Sequence, residues 1–193
     1  MSGIWAVKND ENNGMVKMQK LSTVSQQIDF THMMMSMGNA DVAGSSVPLA
    51  EKIADMPPTR DNVEEIASYM QGRIEKAFRD AGVAYDPEVR FALNPDGSLE
   101  VYGDRSDMEK VKSIFANDDA LADDMKTFIN FADQMPAYER NLEYQIKLAN
   151  AETDAERDAL KEEYADLFDG KDHYDTTAAF SAQGFQAESQ FME

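Results

Sequence analysis

The chain has 193 residues, enough for one ordinary domain with additional segments, and its 42% apolar content permits a hydrophobic core. Its 37 acidic and 18 basic residues give a formal net charge of −19, which opposes direct binding to nucleic acid or to anionic membranes because like charges repel. The absence of cysteine excludes disulfides, thiolate metal sites and cysteine nucleophiles.

The start of the chain, from Met1 to Asp10, lacks the basic residues and long apolar run of a cleaved signal peptide. Apolar stretches elsewhere stay well below the ~20 residues that a membrane span needs. The sequence therefore predicts a cytoplasmic bacterial protein. Export without a cleaved signal peptide, through a flagellar or type III secretion system, is the alternative.

Residues 1–58 show little sustained periodicity and are rich in Ser, Asn, Gln, Met and Gly. Thr23 and Gln26 have the spacing of a capping box, and apolar residues follow at helical spacing. We therefore predict a mostly flexible segment with one marginal amphipathic helix at 23–37. Two consecutive prolines end the segment.

Methionine is concentrated in this segment, with four of the chain's 13 methionines between His32 and Met37. Thioether and imidazole groups are ligands for Cu(I), so a Met/His-rich copper-binding protein is one interpretation. Methionine also covers adaptable docking surfaces, so the same stretch predicts a partner-binding segment. Its candidate contact residues are Val24, Ile28, Met33, Met34, Met35 and Met37.

A folded domain is predicted at 59–170. Its first helix begins near Asp61, which has cap spacing with Glu64, and ends at Gly82, where a left-handed cap is favoured. The apolar stripe of this helix consists of Val63, Ile66, Ala67, Met70, Ile74, Ala77, Phe78 and Ala81.

A β-hairpin at Val89–Gly103 follows, around the turn Asn94-Pro95-Asp96-Gly97. Proline presets one backbone angle of the turn and glycine accepts a positive one. Because two strands alone are marginal in water, one helix should pack on the apolar face of the hairpin. The first helix is the natural candidate.

Four further helices are predicted, the last of which ends at Gly170. Their starting residues are Ser106, Asn117, Pro136 and Thr153. The aromatic residues of 171–193 have no helical period, which predicts a disordered tail. The whole order predicts an α+β fold, mostly helical, in which one β-hairpin packs against a bundle of about five helices between flexible N- and C-terminal segments.

The block 91–121 runs from Phe91-Ala-Leu-Asn-Pro-Asp-Gly-Ser-Leu-Glu-Val-Tyr-Gly-Asp104 into Asn117-Asp-Asp-Ala-Leu121. It resembles a segment of uncharacterised acidic bacterial proteins. The resemblance brings no assigned activity and implies no catalytic residue.

Nothing in the sequence predicts a reaction. It contains no Gly-x-Ser-x-Gly elbow and no glycine-rich phosphate loop, and its two histidines are His32 and His173. A calcium loop that starts at Asp169 places Lys171 at a ligand position, so the EF-hand pattern fails. Among 37 acids no catalytic pair stands out. We predict a protein that is not an enzyme and has no cofactor.

The stretch 118–175 contains 17 acids against six bases. We predict an exposed acidic surface formed by Asp118, Asp119, Asp123, Asp124, Glu162, Glu163 and Asp166. The leading hypothesis is a non-enzymatic protein-interaction module whose partner has a basic or apolar docking surface. The alternative is an acidic mimic of nucleic acid that inhibits a DNA-binding protein.

Overall fold

The structure is a computed structural model, which describes residues 47–171 and 174–192 and the backbone of 5–8 and 17–20. It divides into two compact units, 1–46 and 47–193. In the first unit, β1 (Trp5–Lys8) pairs antiparallel with β2 (Lys17–Lys20). The helix predicted at 23–37 lies outside the described residues.

The second unit has helical and strand elements that confirm the predicted α+β, mostly helical fold. Its described α-helices are α1 (Leu49–Ile53), α2 (Arg60–Ala81), α3 (Met108–Asn117), α4 (Asp119–Asn150) and α5 (Asp154–Glu163), and a 3-10 helix follows at Ala165–Phe168. Its described strands are β3 (Val89–Leu93), β4 (Leu99–Tyr102), β5 (Tyr174–Ser181) and β6 (Gly184–Phe191). The strands form one antiparallel sheet in the order β4-β3-β5-β6.

The C-terminal residues complete the sheet. β5 and β6 form a second hairpin, and β5 pairs with β3 through contacts that include Val89 with Phe180. This hairpin replaces the disordered tail predicted for 171–193. The physical reason is a period of two: alternate residues of β5 point into the core, which a search for helical spacing does not detect.

The helices cover one face of the sheet. Phe78 of α2 packs edge-on against Phe180 with ring centroids 5.2 Å apart, and Phe115 of α3 packs against Phe91 at 4.9 Å. Phe128 of α4 contacts the C-terminal hairpin. The hairpin β3–β4 is therefore covered by α3 and α4, whereas α2, the predicted cover, lies over the C-terminal hairpin instead.

The domain also begins earlier than the predicted residue 59. Leu49 and Ile53, on one side of α1, are buried in the core. Because α1 has only five residues, its sequence carries too little periodicity to indicate a packed element.

Some of the predicted helix caps and turns form in the structure and others do not. Gly82 takes the expected left-handed conformation with φ 62°, and Thr153 and Glu156 form the expected capping box. The hairpin turn forms around Gly97, which has φ 78°. By contrast, α2 is capped by Thr59, and the predicted box at Ser106 is absent because Asp107 occupies the N-cap of α3.

The helices predicted to start at Asn117 and Pro136 are one helix, α4, of 32 residues. Pro136 lies inside it, so the carbonyl of Ala132 lacks its usual donor, at a cost of about 3 kcal/mol. The helix continues because both halves have packing partners: Ala132 is buried in the core before the proline, and Tyr144 is buried after it.

Replacing Phe180 with alanine tests the C-terminal hairpin. Phe180 is 1% exposed, so its loss should lower the free energy of unfolding by about 3–5 kcal/mol. The control is Phe191→Ala in the same hairpin, at a ring that is 56% exposed, for which we expect a loss of about 1 kcal/mol or less. Equal small losses in urea unfolding would show that the hairpin does not belong to the core.

Candidate functional site

The seven acids predicted to form one surface do not share an environment. Asp119 and Asp123 are exposed near the start of α4, but Asp118 caps that helix by accepting a hydrogen bond from the backbone N–H of Leu121 at 2.9 Å. Asp124 is buried, so it is not a surface residue.

Asp124 joins three helices. Its carboxylate accepts a hydrogen bond from the backbone N–H of Leu49 at 2.9 Å and forms an ion pair with Arg73. Asp124 thus holds α1 and α2 against α4. The helical spacing of the α4 residues does not indicate this role, because Leu49 and Arg73 belong to other helices.

The remaining predicted acids lie near the other end of α4. Asp166 accepts two hydrogen bonds from Arg140, at 2.6 and 2.8 Å, and Glu163 accepts one from Lys147 at 2.8 Å. More than 20 residues of α4 separate Asp118 from these contacts, which at 1.5 Å per residue is about 30 Å. The predicted acids therefore form two separate groups.

A second buried charge, Arg105, also has a structural role. It donates hydrogen bonds to the carbonyl oxygens of Pro87 and Ala84, both at 2.8 Å, and pairs with Asp107 at 2.6 Å. The hydrogen bond from Arg105 lowers the pKa of Asp107. These contacts tie the loop before β3 to the start of α3.

The second half of α4, with α5 and the 3-10 helix, forms an arm, defined as residues 136–168. Its interior is aromatic: the rings of Tyr144 and Tyr164 lie 5.5 Å apart, and the guanidinium of Arg140 lies 4.6 Å from the Tyr164 ring. The ammonium group of Lys147 lies 5.0 Å from the centre of the same ring. Its hydrogen bonds, of which the one with Glu163 has the largest effect, raise the pKa of Lys147. These contacts fix one face of α4 against α5.

The opposite face of the arm is open and apolar. Leu142 and Ile146 are one helical turn apart and are 46% and 56% exposed. Tyr138 precedes them by one turn, and Ala149 extends the same face. We call these four residues the arm stripe. Helical spacing places Tyr138, Leu142 and Ile146 on one apolar face, but this part of α4 extends beyond the residues that cover the sheet.

Two open cavities of about 390 and 330 Å³ lie between α1 and α4, and both are lined by Ala50, Thr127 and Asn130. The larger cavity also contains Asp123 and Lys126, whose charges are paired at 2.5 Å. Apart from Asp123, Lys126 and the buried Asp124, the residues that line the two cavities are uncharged.

The residues predicted to bind a partner or copper, between Val24 and Met37, lie outside the described residues, and so does His173. Across the ranges that the structure describes, no group of three or more metal-ligating side chains is found. Within the same ranges, no helix combines the length and apolarity that crossing a membrane requires.

The chain matches no family model, and neither the curated proteins nor the solved structures contain a significant match to it. The resemblance of block 91–121 to acidic bacterial proteins therefore stays a prediction.

Asp124 and its neighbour Asp123 form a matched pair for mutation. Asp124→Asn removes the charge that pairs with the partly buried Arg73, and we expect the free energy of unfolding to fall by about 3 kcal/mol or more. Asp123→Asn changes a side chain that is 67% exposed and should alter it by about 0.5 kcal/mol or less. Chemical denaturation of both variants measures the difference; equal effects would contradict the central role of Asp124.

Proposed function

We propose that this protein is a non-enzymatic protein-interaction module and that its arm stripe binds an amphipathic helix of a partner protein. The observation that carries the proposal is the exposure of Leu142 and Ile146 on a helix face whose opposite side is firmly packed. Aliphatic residues one turn apart form an apolar strip against which the apolar face of a partner helix can pack.

Burial of these side chains supplies the binding energy. Fully burying one leucine or isoleucine contributes about 1.5–3 kcal/mol, and each already loses part of its surface within the arm. The contacts of Arg140 and Lys147 with Tyr164 hold α4 in place. Little conformational entropy is therefore lost when a partner binds this face.

Charge beside the arm stripe favours a basic partner. Glu139 and Glu143 border the arm stripe on one side. Glu143 pairs with Lys147 at 3.0 Å. Glu139 makes an exposed contact with Arg60, which contributes little to stability. A net charge of −19 increases the encounter rate with a cationic protein and opposes a second copy of this chain. The partner helix should therefore carry Lys or Arg beside its apolar face.

The other hypotheses from the sequence draw less support from this geometry. A nucleic-acid mimic needs a continuous row of negative charge, whereas the predicted acids form two groups and Asp124 is buried. Copper binding and export by a flagellar or type III system depend on the residues before Val47, and they stay predictions.

A photo-crosslinking residue at Ile146 tests the proposal in cells that produce the protein. We expect a discrete adduct with one partner, and the additional change Leu142→Asp should reduce its yield at least tenfold, since a charge replaces a buried contact of about 1.5–3 kcal/mol. Gel analysis and mass spectrometry measure the adduct.

The control places the same crosslinker at Ala159, an exposed position on α5. It should give no adduct of the same mass. Similar adducts from both positions, or an adduct at 146 that Leu142→Asp leaves unchanged, would show that the arm stripe is not the docking surface. Circular dichroism of Leu142→Asp checks that the exposed substitution leaves the helix content intact.

A further inference from the structure

β6 forms one edge of the sheet. It is eight residues long and pairs with β5 along its whole length, and within the described part of the chain no strand pairs with its other side. The backbone N–H and C=O groups of alternate β6 residues therefore point away from the sheet, where another strand can pair with them.

Within the described residues, this edge has few of the features that protect edge strands from pairing. Natural edge strands carry charged residues (above all lysine), proline or a bulge, are very short, or are covered by another segment. β6 contains neither lysine nor proline, and its one charged residue, Glu188, accepts a hydrogen bond from Arg90 at 3.2 Å. The opposite edge, β4, has only four residues and offers a much shorter template.

The end of β6 also exposes apolar side chains. Phe191 is 56% exposed and Met192 is 43% exposed. Phe191 is the last residue of β6, and its ring packs against Tyr174 with centroids 5.6 Å apart; Met192 follows it, so a strand that paired with β6 would cover the exposed parts of both. Backbone pairing and apolar contact are thus available together.

The position of α2 argues against a second copy of this chain as the occupant. α2 packs over β6, and a Cβ at Gly184 would lie 3.3 Å from the side-chain oxygen of Gln71. Two β6 strands paired about a two-fold axis would bring the two copies of α2 next to each other. Each copy also carries the net charge of −19, which opposes this pairing.

We infer that β6 binds an extended segment of a partner protein, which adds to the sheet as a fifth, antiparallel strand. The segment has a large apolar residue opposite Phe191 and basic residues on the outer face near Glu188, in keeping with the net charge of −19. This inference goes beyond the proposed function, because it depends on no residue of the arm.

Hydrogen exchange of the full chain tests the inference with a synthetic ten-residue peptide of alternating lysine and leucine. At a saturating concentration, amide exchange should slow at least tenfold at alternate residues of β6. The control peptide has the same sequence and charge but is N-methylated at every residue, which removes all of its backbone donors. It should give no protection; equal protection by both peptides, or none by either, overturns the inference.

A pair of variants tests the charge and the location. Gln186→Lys with Gln190→Lys places two positive charges on the outer face of β6 and should weaken peptide binding at least tenfold. The same two lysines at Ala155 and Ala159 of α5 change the net charge equally and should weaken it less than threefold. Equal weakening by the two pairs overturns the assignment to β6.

Two further outcomes bear on the occupant. Protection of β6 without peptide that increases with protein concentration, together with a dimer in sedimentation, would replace the partner segment with a second copy. Protection confined to the arm would also overturn the inference. Leu142→Asp should leave peptide binding to β6 unchanged, so failure at the arm and failure at β6 are distinguishable.

Discussion

The pairing of β3 with β5 is the contact on which the rest of this domain depends. It joins two hairpins that lie more than 70 residues apart in the chain, through the pairs of Val89 with Phe180 and Phe91 with Ala178. Without it, each hairpin would be a marginal two-stranded ribbon with its apolar face only partly covered. With it, Phe78, Phe115 and Phe128 pack against one continuous surface. Loop-closure entropy opposes such a distant contact, so burial of the aromatic core must offset it.

The accuracy of the sequence predictions follows the range of the interactions involved. The Gly82 cap, the turn at Gly97 and the capping box at Thr153 depend on a few neighbouring residues, and the structure contains all three. The pairing of β5 with β3 depends on residues far apart, and nothing local in 171–193 indicates its partner. Pro136 shows the converse: a strong local signal for a helix start was overridden because both halves of α4 have packing partners.

The candidate site follows the same division. Asp124 and Asp123 are adjacent in sequence and have the same side chain, yet one is buried in an ion pair and the other is exposed. The difference arises from α1 and α2, which approach only one side of α4. Leu142 and Ile146 present the opposite case, since their spacing resembles a core face but α4 extends beyond the sheet that covers its first half. Periodicity identifies an apolar face but does not show whether this chain or a partner buries it.

The arm stripe and the β6 edge differ in the kind of interaction they offer, and this has a consequence for specificity. Side chains define the arm stripe, so the proposed partner would be selected by the shape and spacing of its apolar residues and by the charges that meet Glu139 and Glu143. Backbone groups define the β6 edge, so in the proposed complex many extended sequences would satisfy it, and Phe191 would supply most of the discrimination. A segment that bound both surfaces would bind more tightly than through either alone, because the first contact raises its local concentration at the second. Taken together, the two proposals describe a protein that would recognise one helix at the arm and accept the variable extended segment attached to it at β6.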